Sequence, residues 1–540
     1  MSFLLFGSIG SLQLVWILLV AELIIYGIYV VVYRLTRDPL AKFPGPFLWK
    51  ISIWPMVWQC ARGKRHLDLL KAHRKYGPVV RVAPDMLSFD TGSSARVIYG
   101  PRHANLVKSD FHLTLDATIS TPSVFAMVDK EKHAFRRRVI LQAFTENAMQ
   151  KSGEFYLHYT GILRDQLKEK TKNGWTKVNM GEYATWWGAD VMGALALGRS
   201  FNCLRDPTYR NGIPMMRNAA RFTYWAGHLP FRKAADYILA HPILSRIGGK
   251  AAIDNQNYFD YCENAMQARI SEQEEANAAG KGEEMRKDYI HYLLNAIDPE
   301  TGKGLTRNEL KSDASVILAA GSDAIANAFA SVMFYLCRNQ RPRELAAAEV
   351  RKCFSTAEEI QVGPKMNSCT YLTACIDEAM RMAPVSPSPL ERVATDEGIE
   401  IDGHHIPAGV TVGTFFYGMN LSDKIYRDPY KYWPERWLVD EKGINGLPLK
   451  EVNNAKQSFF PFSDGHRQCI AKILATRNLK LVVATMLWHF DFRATDKLNA
   501  DEPSGEGEEK GVFGLEDAMI SITQGPVLEM VDRFNIKRDS

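Results

Sequence analysis

Several things are missing from this chain. Its eight cysteines, at positions 60, 203, 262, 337, 353, 369, 375 and 469, form no CxxC pair and no regular framework. That excludes a Cys-rich zinc site, an iron–sulfur cluster and a disulfide scaffold, and it favours reduced thiols. No GxGxxG and no Walker motif occurs, so the chain has no nucleotide fingerprint of its own. No repeat of fixed period is evident. A large charge excess is missing too: 66 Lys and Arg stand against 61 Asp and Glu, a net charge of +5, which gives no argument for nucleic-acid binding. With 46% hydrophobic and 24% charged residues the composition is ordinary for a globular protein.

Lys and Arg are also absent from the first 33 residues. Residues 12–33, Leu12 to Tyr33, are almost wholly apolar, with Gln13 and Glu22 as exceptions. About 22 helical residues at roughly 1.5 Å each match the ~30 Å of a bilayer core. Arg34, Arg37 and Lys42 follow at once, so the positive-inside rule puts residues 1–11 in the lumen and everything after Tyr33 in the cytoplasm. Pro39, Pro44, Gly45 and Pro46 make residues 34–46 a stiff hinge. No linker splits residues 47–540, which read as one large domain, mainly α with small β-sheets. Val79–Val82 and Met86–Phe89 read as strands around a turn, and the stretch from Glu400 to Val412 as a small sheet. Ala276–Glu284 is a polar connection, and Asp501–Lys510 an acidic solvated loop.

The stretch that organises the chain is Phe459-Phe-Pro-Phe-Ser-Asp-Gly-His-Arg-Gln-Cys469. An aromatic run enters a turn, presents one cysteine and passes into a helical pattern. Just before a helix N-terminus, backbone N–H groups favour a thiolate. One thiolate suits a haem iron, which needs a single protein sulfur; a buried structural cysteine is the plainer alternative. Thr306-Arg-Asn-Glu309 is a capping box opening a helix to about Asn339, some 50 Å long. Its middle, Ala319-Ala-Gly-Ser-Asp-Ala-Ile325, is small, with an acid at Asp323 that asks for a partner or a function. Gly321 weakens the helix by up to ~1 kcal/mol and so asks for a reason of its own.

These segments together resemble the cytochrome P-450 family. Phe462, Gly465, Arg467 and Cys469 match its FxxGxRxC signature, with Ala471 where glycine is usual. The resemblance implies that Cys469 ligates the iron of haem b, with Phe462 shielding the sulfur and Gly465 allowing the turn. It implies propionate contacts from Arg467, Arg392, His133 and Arg137, and a buried Glu378–Arg381–Arg436 network bracing the haem side. Ala320, Gly321 and Asp323 match the oxygen-activating motif, but its threonine is Ala324, so a substrate hydroxyl, a water near Asp323, or Asn327 would have to replace it. The residues placed at the catalytic centre are thus Gly321, Asp323 and Ala324. Substrate contacts are expected from Ser120–Phe125, Ala319–Ala324, Val385–Pro389 and Met519–Ile522.

The resemblance further implies a microsomal, endoplasmic-reticulum enzyme of fungal secondary metabolism. It would oxidise a lipophilic small molecule with O2 and electrons from an NADPH-dependent reductase, with cytochrome b5 as a further donor. Ala324 keeps a haem-thiolate isomerase, dehydratase or lyase in view, and a non-enzymatic haem-binding protein is the remaining class. Arg136 and Arg138 read as a solvated basic face; with Lys130, Lys472 and Lys480 they would form a patch for an acidic electron donor.

Overall fold

The computed structural model describes residues 11–100, 105–114, 116, 121–234, 237, 249–495 and 511–535. The acidic loop Asp501–Lys510, Ser120 and residues 1–10 lie outside them.

The first helix, α1 (Ser11–Thr36), has no buried residue in its apolar window, so its leucines, isoleucines and tyrosines face outward. That is how an apolar helix is laid out when lipid supplies the partner surface. A hinge tied to the globular part follows. Arg81 donates to the Arg34 carbonyl at 2.8 Å and pairs with Asp38 at 2.9 Å. Two short helices come next, α2 (Phe47–Ile51) and α3 (Trp54–Ala61). They leave Phe47, Leu48, Trp54 and Trp58 exposed on the side that also carries Phe231, whose ring lies 6.3 Å from Trp54. Helix α4 (Arg65–Tyr76) leads into β1 (Val79–Ala83) and β2 (Met86–Phe89), the two strands legible in the sequence.

A five-stranded sheet forms from β1, β2, β3 (Leu106–Lys108), β4 (Arg392–Ala394) and β5 (Thr411–Thr414), in the order β1-β2-β5-β4-β3. Only the β2–β5 pairing is parallel. The expected small sheet at 400–412 splits: Ile399–Ile401 pairs with His404–Ile406, and the end of the run joins the large sheet as β5.

The helices carry the rest. Those that bear on the site are α5 (Lys130–Leu141), α6 (Met180–Ala196), α7 (Gly212–Ala226), α8 (Arg307–Arg338), α9 (Thr370–Met382) and α10 (Lys472–His489). Helix α8 opens with the expected capping box: the Glu309 N–H donates to Thr306 Oγ1 at 3.3 Å, and the Thr306 N–H donates back to Glu309 Oε2 at 2.8 Å. It is apolar enough to cross a membrane, yet it is mostly buried inside the fold. Its most extensive packing is on α6, where Gly188 sits against the Ser322 carbonyl and a Cβ at Gly321 would lie 2.5 Å from Met192 Cε. The glycine at 321 therefore has a packing reason, the close approach of α6 to α8. Near the C-terminal end lies a hairpin, β6 (Leu515–Ala518) with β7 (Ile520–Thr523), whose connecting residue Met519 has φ 70°.

Candidate functional site

The Cys469 loop is a strained turn held by its own backbone. Ser463 and Gly465 have φ of 58° and 66°, and the Cys469 N–H donates to the Phe462 carbonyl at 2.9 Å. Helix α10 begins three residues later. Of the eight cysteines Cys469 is the exposed one; six are buried and Cys353 is half-buried. No cluster of three His, Cys, Asp or Glu groups suited to a metal occurs among the described residues, so the sulfur stands as a single ligand. Its acidity departs from the sequence expectation. The surrounding protein desolvates the thiol and pushes its pKa up, and the Ala471 N–H, Arg137 and Lys472 only partly oppose this. Protein alone keeps the thiol; a thiolate here calls for a bound cation.

Around this loop gathers a set of cations without acids. Arg467 donates to the carbonyls of Met127 and Val128, Arg137 to the Gln468 carbonyl at 2.9 Å, and Arg392 to the Glu391 carbonyl at 2.9 Å. Lys108 donates to the Phe125 carbonyl. It stands directly opposite Arg392 in the β3–β4 pairing, an arrangement that like charges disfavour. Among the described residues none of the four is within ion-pair distance of a carboxylate. Desolvation, and then their neighbours' charge, drives Lys108 well down and Arg467 to about 10. His133, buried beside them, falls to about 3 from desolvation, then from Arg467 and Lys108. So much desolvated positive charge is stable only against an anion.

On α8, Val316, Ala320 and Ala324 recur every four residues and are half-exposed, as are their neighbours Ile317, Ala319 and Gly321, so the middle of the helix presents mostly small side chains. Asp323 points elsewhere: its Oδ1 lies 3.5 Å from Arg217 Nε on α7. Burial raises its pKa, and Arg217, then Arg221, hold it back. Arg217 also donates to Thr185 on α6 at 2.9 Å, so one guanidinium bridges three helices. Asn327 is already engaged: it donates to the Ser521 carbonyl and accepts from Thr523 Oγ1 at 2.8 Å. That leaves it badly placed to stand in for the missing hydroxyl at 324. The other segments expected to touch substrate are bonded to one another. Ser521 N–H donates to the Val385 carbonyl at 2.7 Å, Ser386 Oγ to the Met519 carbonyl at 3.0 Å, and Val124 N–H to Asp313 on α8 at 2.6 Å.

Glu378 is fully buried and accepts five hydrogen bonds. Arg381 gives two at 2.9 Å, the Trp433 N–H one at 3.1 Å, Arg436 one at 3.3 Å and the Trp437 indole one at 3.0 Å. Desolvation would raise its pKa, but Arg381 and Arg436 outweigh it and hold the carboxyl below the usual range.

The sequence readings of surface charge fail as well. Arg136 is no solvated cation: it is fully buried and paired with Asp313 at 2.6 Å, because α5 packs that face onto the first turns of α8. Arg138 is held by Asp298 at 2.7 Å and Glu300 at 3.0 Å, and Lys480 is buried. Of the proposed patch only Lys130 and Lys472 remain exposed. Sequence reasoning also missed Lys108 and Arg217. Neither belongs to a motif; each reaches its site through tertiary pairing, of β3 with β4 and of α7 with α8.

Comparison with known proteins agrees with this layout. The profile of the Cytochrome P450 family matches residues 44–513. The chain is 60% identical over 518 residues to cytochrome P450 monooxygenase fscF of Fusarium equiseti, covering 96% of each protein. It is 32% identical to cytochrome P450 monooxygenase atnE of Emericella nidulans, over 93% of this chain and 94% of that one. It is 28% identical to the averantin hydroxylase of Dothistroma septosporum, over 87% and 84%. The chain belongs to the cytochrome P450 family. It is a haem monooxygenase, like these fungal relatives of secondary metabolism, and the family takes haem b through a cysteine and electrons from an NADPH-dependent reductase. The residues present fit that group: one accessible sulfur, a stripe of small side chains, and a desolvated cation cluster matching two propionates.

Proposed function

We propose that this protein hydroxylates, epoxidises or oxidatively closes a ring in a lipophilic small molecule, an intermediate of fungal secondary metabolism. The observation that carries the reading is the pairing of an accessible Cys469 with a cluster of desolvated cations that has, among the described residues, no carboxylate at ion-pair distance. In this reading Cys469 would ligate the haem iron through its sulfur, and Phe462 and Gly465 hold its loop. Arg467, Arg392, Arg137 and His133 receive the propionates, with Lys108 as a further donor. Bidentate guanidinium geometry suits such carboxylates.

Haem, when bound through Cys469, supplies reductive activation of O2. The chain's own residues do the rest. The stripe Val316–Ala320–Ala324 gives a flat apolar wall that holds substrate and excludes water. Asp323, whose pKa burial raises against Arg217, is the acid that would pass a proton here, and Arg217 fixes its carboxyl. With no hydroxyl at 324, transfer from Asp323 Oδ2 runs through an ordered water or the substrate's own hydroxyl. Residues 12–33 anchor the chain as a single span in the endoplasmic reticulum membrane, with residues 34–46 as hinge and the catalytic domain 47–540 in the cytoplasm. The exposed Phe47, Trp54, Trp58 and Phe231 rest against lipid, and cytochrome b5 is an additional donor.

The test is the reduced carbon-monoxide difference spectrum, then turnover with reductase. A thiolate Soret band lost in Cys469→Ser, with O2 and NADPH consumed in step with product, is the expected result. Turnover without NADPH would instead favour the isomerase, dehydratase or lyase reading that Ala324 motivates.

A further inference from the structure

A second polar cluster is built around Glu391 and Asp517, and part of its wall, Ser386 and Met519, belongs to the segments expected to touch substrate. It surrounds a cavity of about 10 Å³, room for one oxygen-sized group, lined among others by Arg65, Tyr224, Ser386, Ser388, Glu391 and Met519. Its charges already close. Glu391 accepts from His228 Nε2 at 2.8 Å and from Ser109 at 2.9 Å, and lies 3.5 Å from Arg65. The Asp517 carboxylate accepts from Ser388, from Tyr224 at 3.3 Å and from the Met519 N–H at 3.1 Å. Cys60, Glu391 and hydrogen bonds outweigh desolvation and lift His228 to about 10, so two cations, Arg65 and His228, face two carboxylates. His112 and His66 stay neutral, because burial drives both down. A charged guest would find no countercharge here.

Among the residues that line the cavity, one donor is left over. Arg65 is buried, and its Nε has no hydrogen-bond partner among the described residues. A buried donor without an acceptor is costly, so the site is short of one oxygen. The cavity also touches the substrate side. Met519, held at positive φ, forms its wall. Two residues on, the Ser521 carbonyl accepts from Asn327, one turn along α8 from Asp323.

We propose that this cavity takes a neutral oxygen of the substrate, a hydroxyl or carbonyl at the end remote from the oxidised carbon, which accepts from Arg65 Nε. The assignment makes Arg65 a specificity residue and rests on the monooxygenase reading above. Full-length holoenzyme is titrated with n-decane, 1-decanol and 2-decanone, and the low-to-high-spin Soret shift is read. The alcohol and ketone are expected to bind about ten-fold tighter than decane, a hydrogen bond's worth of preference. Arg65→Lys keeps a cation for Glu391 but loses the Nε–H, and Ser386→Val fills the cavity without touching the ion pairs. Each is expected to bring the preference below about two-fold. Should Arg65→Lys fail to fold, Ser386→Val carries the test. Equal affinities in the wild type, meaning that the cavity holds water only, overturn the proposal, as does a preference that survives both variants. A wild-type protein lacking the thiolate carbon-monoxide band overturns the monooxygenase reading, and the assignment with it.

Discussion

Two buried charge clusters flank the Cys469 loop, and they are built on opposite plans. Around Glu378, two guanidiniums meet one carboxylate, and the remaining N–H groups reach backbone carbonyls, among them Pro429 at 2.8 Å and Arg427 at 2.6 Å. Every charge in that network has its partner within the chain. Around Lys108, Arg137, Arg392 and Arg467, four cations share backbone carbonyls and, among the described residues, no carboxylate at ion-pair distance. The first cluster is complete when the chain folds. The second is complete only when an anion arrives. Arg137 and Arg467 are only half-buried, but Lys108 and Arg392 are as deeply placed as a paired charge would be, so the missing carboxylate marks which cluster is architecture and which is a receptor.

The comparison breaks most sharply at Glu378. Glu378→Gln keeps the shape but strands Arg381 and Arg436 in the core. A loss of about 3–5 kcal/mol is expected, read as a large drop in thermal midpoint and in carbon-monoxide-binding protein. An equal loss in haem-depleted protein shows that the network serves the fold itself. The receptor cluster is expected to respond with the opposite sign. Lys108→Met removes a desolvated cation facing Arg392, so haem-depleted protein should gain on the order of 1 kcal/mol in denaturant unfolding. Haem transfer to apomyoglobin should meanwhile become several-fold faster. A Lys108→Met protein that is less stable in both states would show that this cation belongs to the architecture after all.

How much of this was legible in the sequence divides along the same line. Glu378, Arg381 and Arg436 were readable because local spacing and order fix them: two sit one turn apart on α9, and the third follows in Pro434–Trp437. The Cys469 loop, both strands β1 and β2, the outward-facing α1 and the capped start of α8 were legible for the same reason, since each is written in a contiguous stretch. Lys108 was invisible, because only the register of β3 on β4 brings it to Arg392. Arg217 was invisible because α7 must first cross α8. Arg136 was misread for a related reason: three consecutive arginines look like a solvated face, but a helix turns each about 100° from the last, so Arg136 goes inward to Asp313 while its neighbours do not. Even the thiol of Cys469 was misjudged, since the helix terminus was visible and the desolvation was not.

Protonation separates the clusters more gently. His66 and His73 are driven down to about 4, mainly by burial, below an ordinary value of 6.5. The fold keeps them neutral, so their contribution is present above pH 6.5 and is lost as pH falls from 6.5 toward 4. Roughly 1 kcal/mol for each is expected to disappear between pH 7 and 5.5. His228, lifted to about 10, works the other way: its pairing with Glu391 is fully present below pH 6.5 and fades as pH rises toward 10. Stability against pH should therefore form a dome. In urea unfolding His66→Gln should flatten its acid limb, and a Glu391→Gln protein should lose the alkaline dependence.

The smallest effect concerns electron delivery. With Arg136 and Lys480 buried and Arg138 engaged by Asp298 and Glu300, the proposed docking patch is reduced to Lys130 and Lys472, exposed at the start of α5 and of α10. Two solvated charges steer an acidic partner only weakly, and salt screens them within a Debye length of about 10 Å at 0.1 M. Lys472→Glu is expected to slow reductase-driven reduction by a few-fold at low ionic strength, to converge with wild type in 0.5 M salt, and to leave dithionite reduction untouched. Arg138→Glu makes the sharper control. Its guanidinium is spent on Asp298, so its reversal should lower stability by opposing that carboxylate, without the salt-dependent rate loss. If Arg138→Glu instead slowed reduction as Lys472→Glu does, the partner would be pulling Arg138 away from Asp298 on docking.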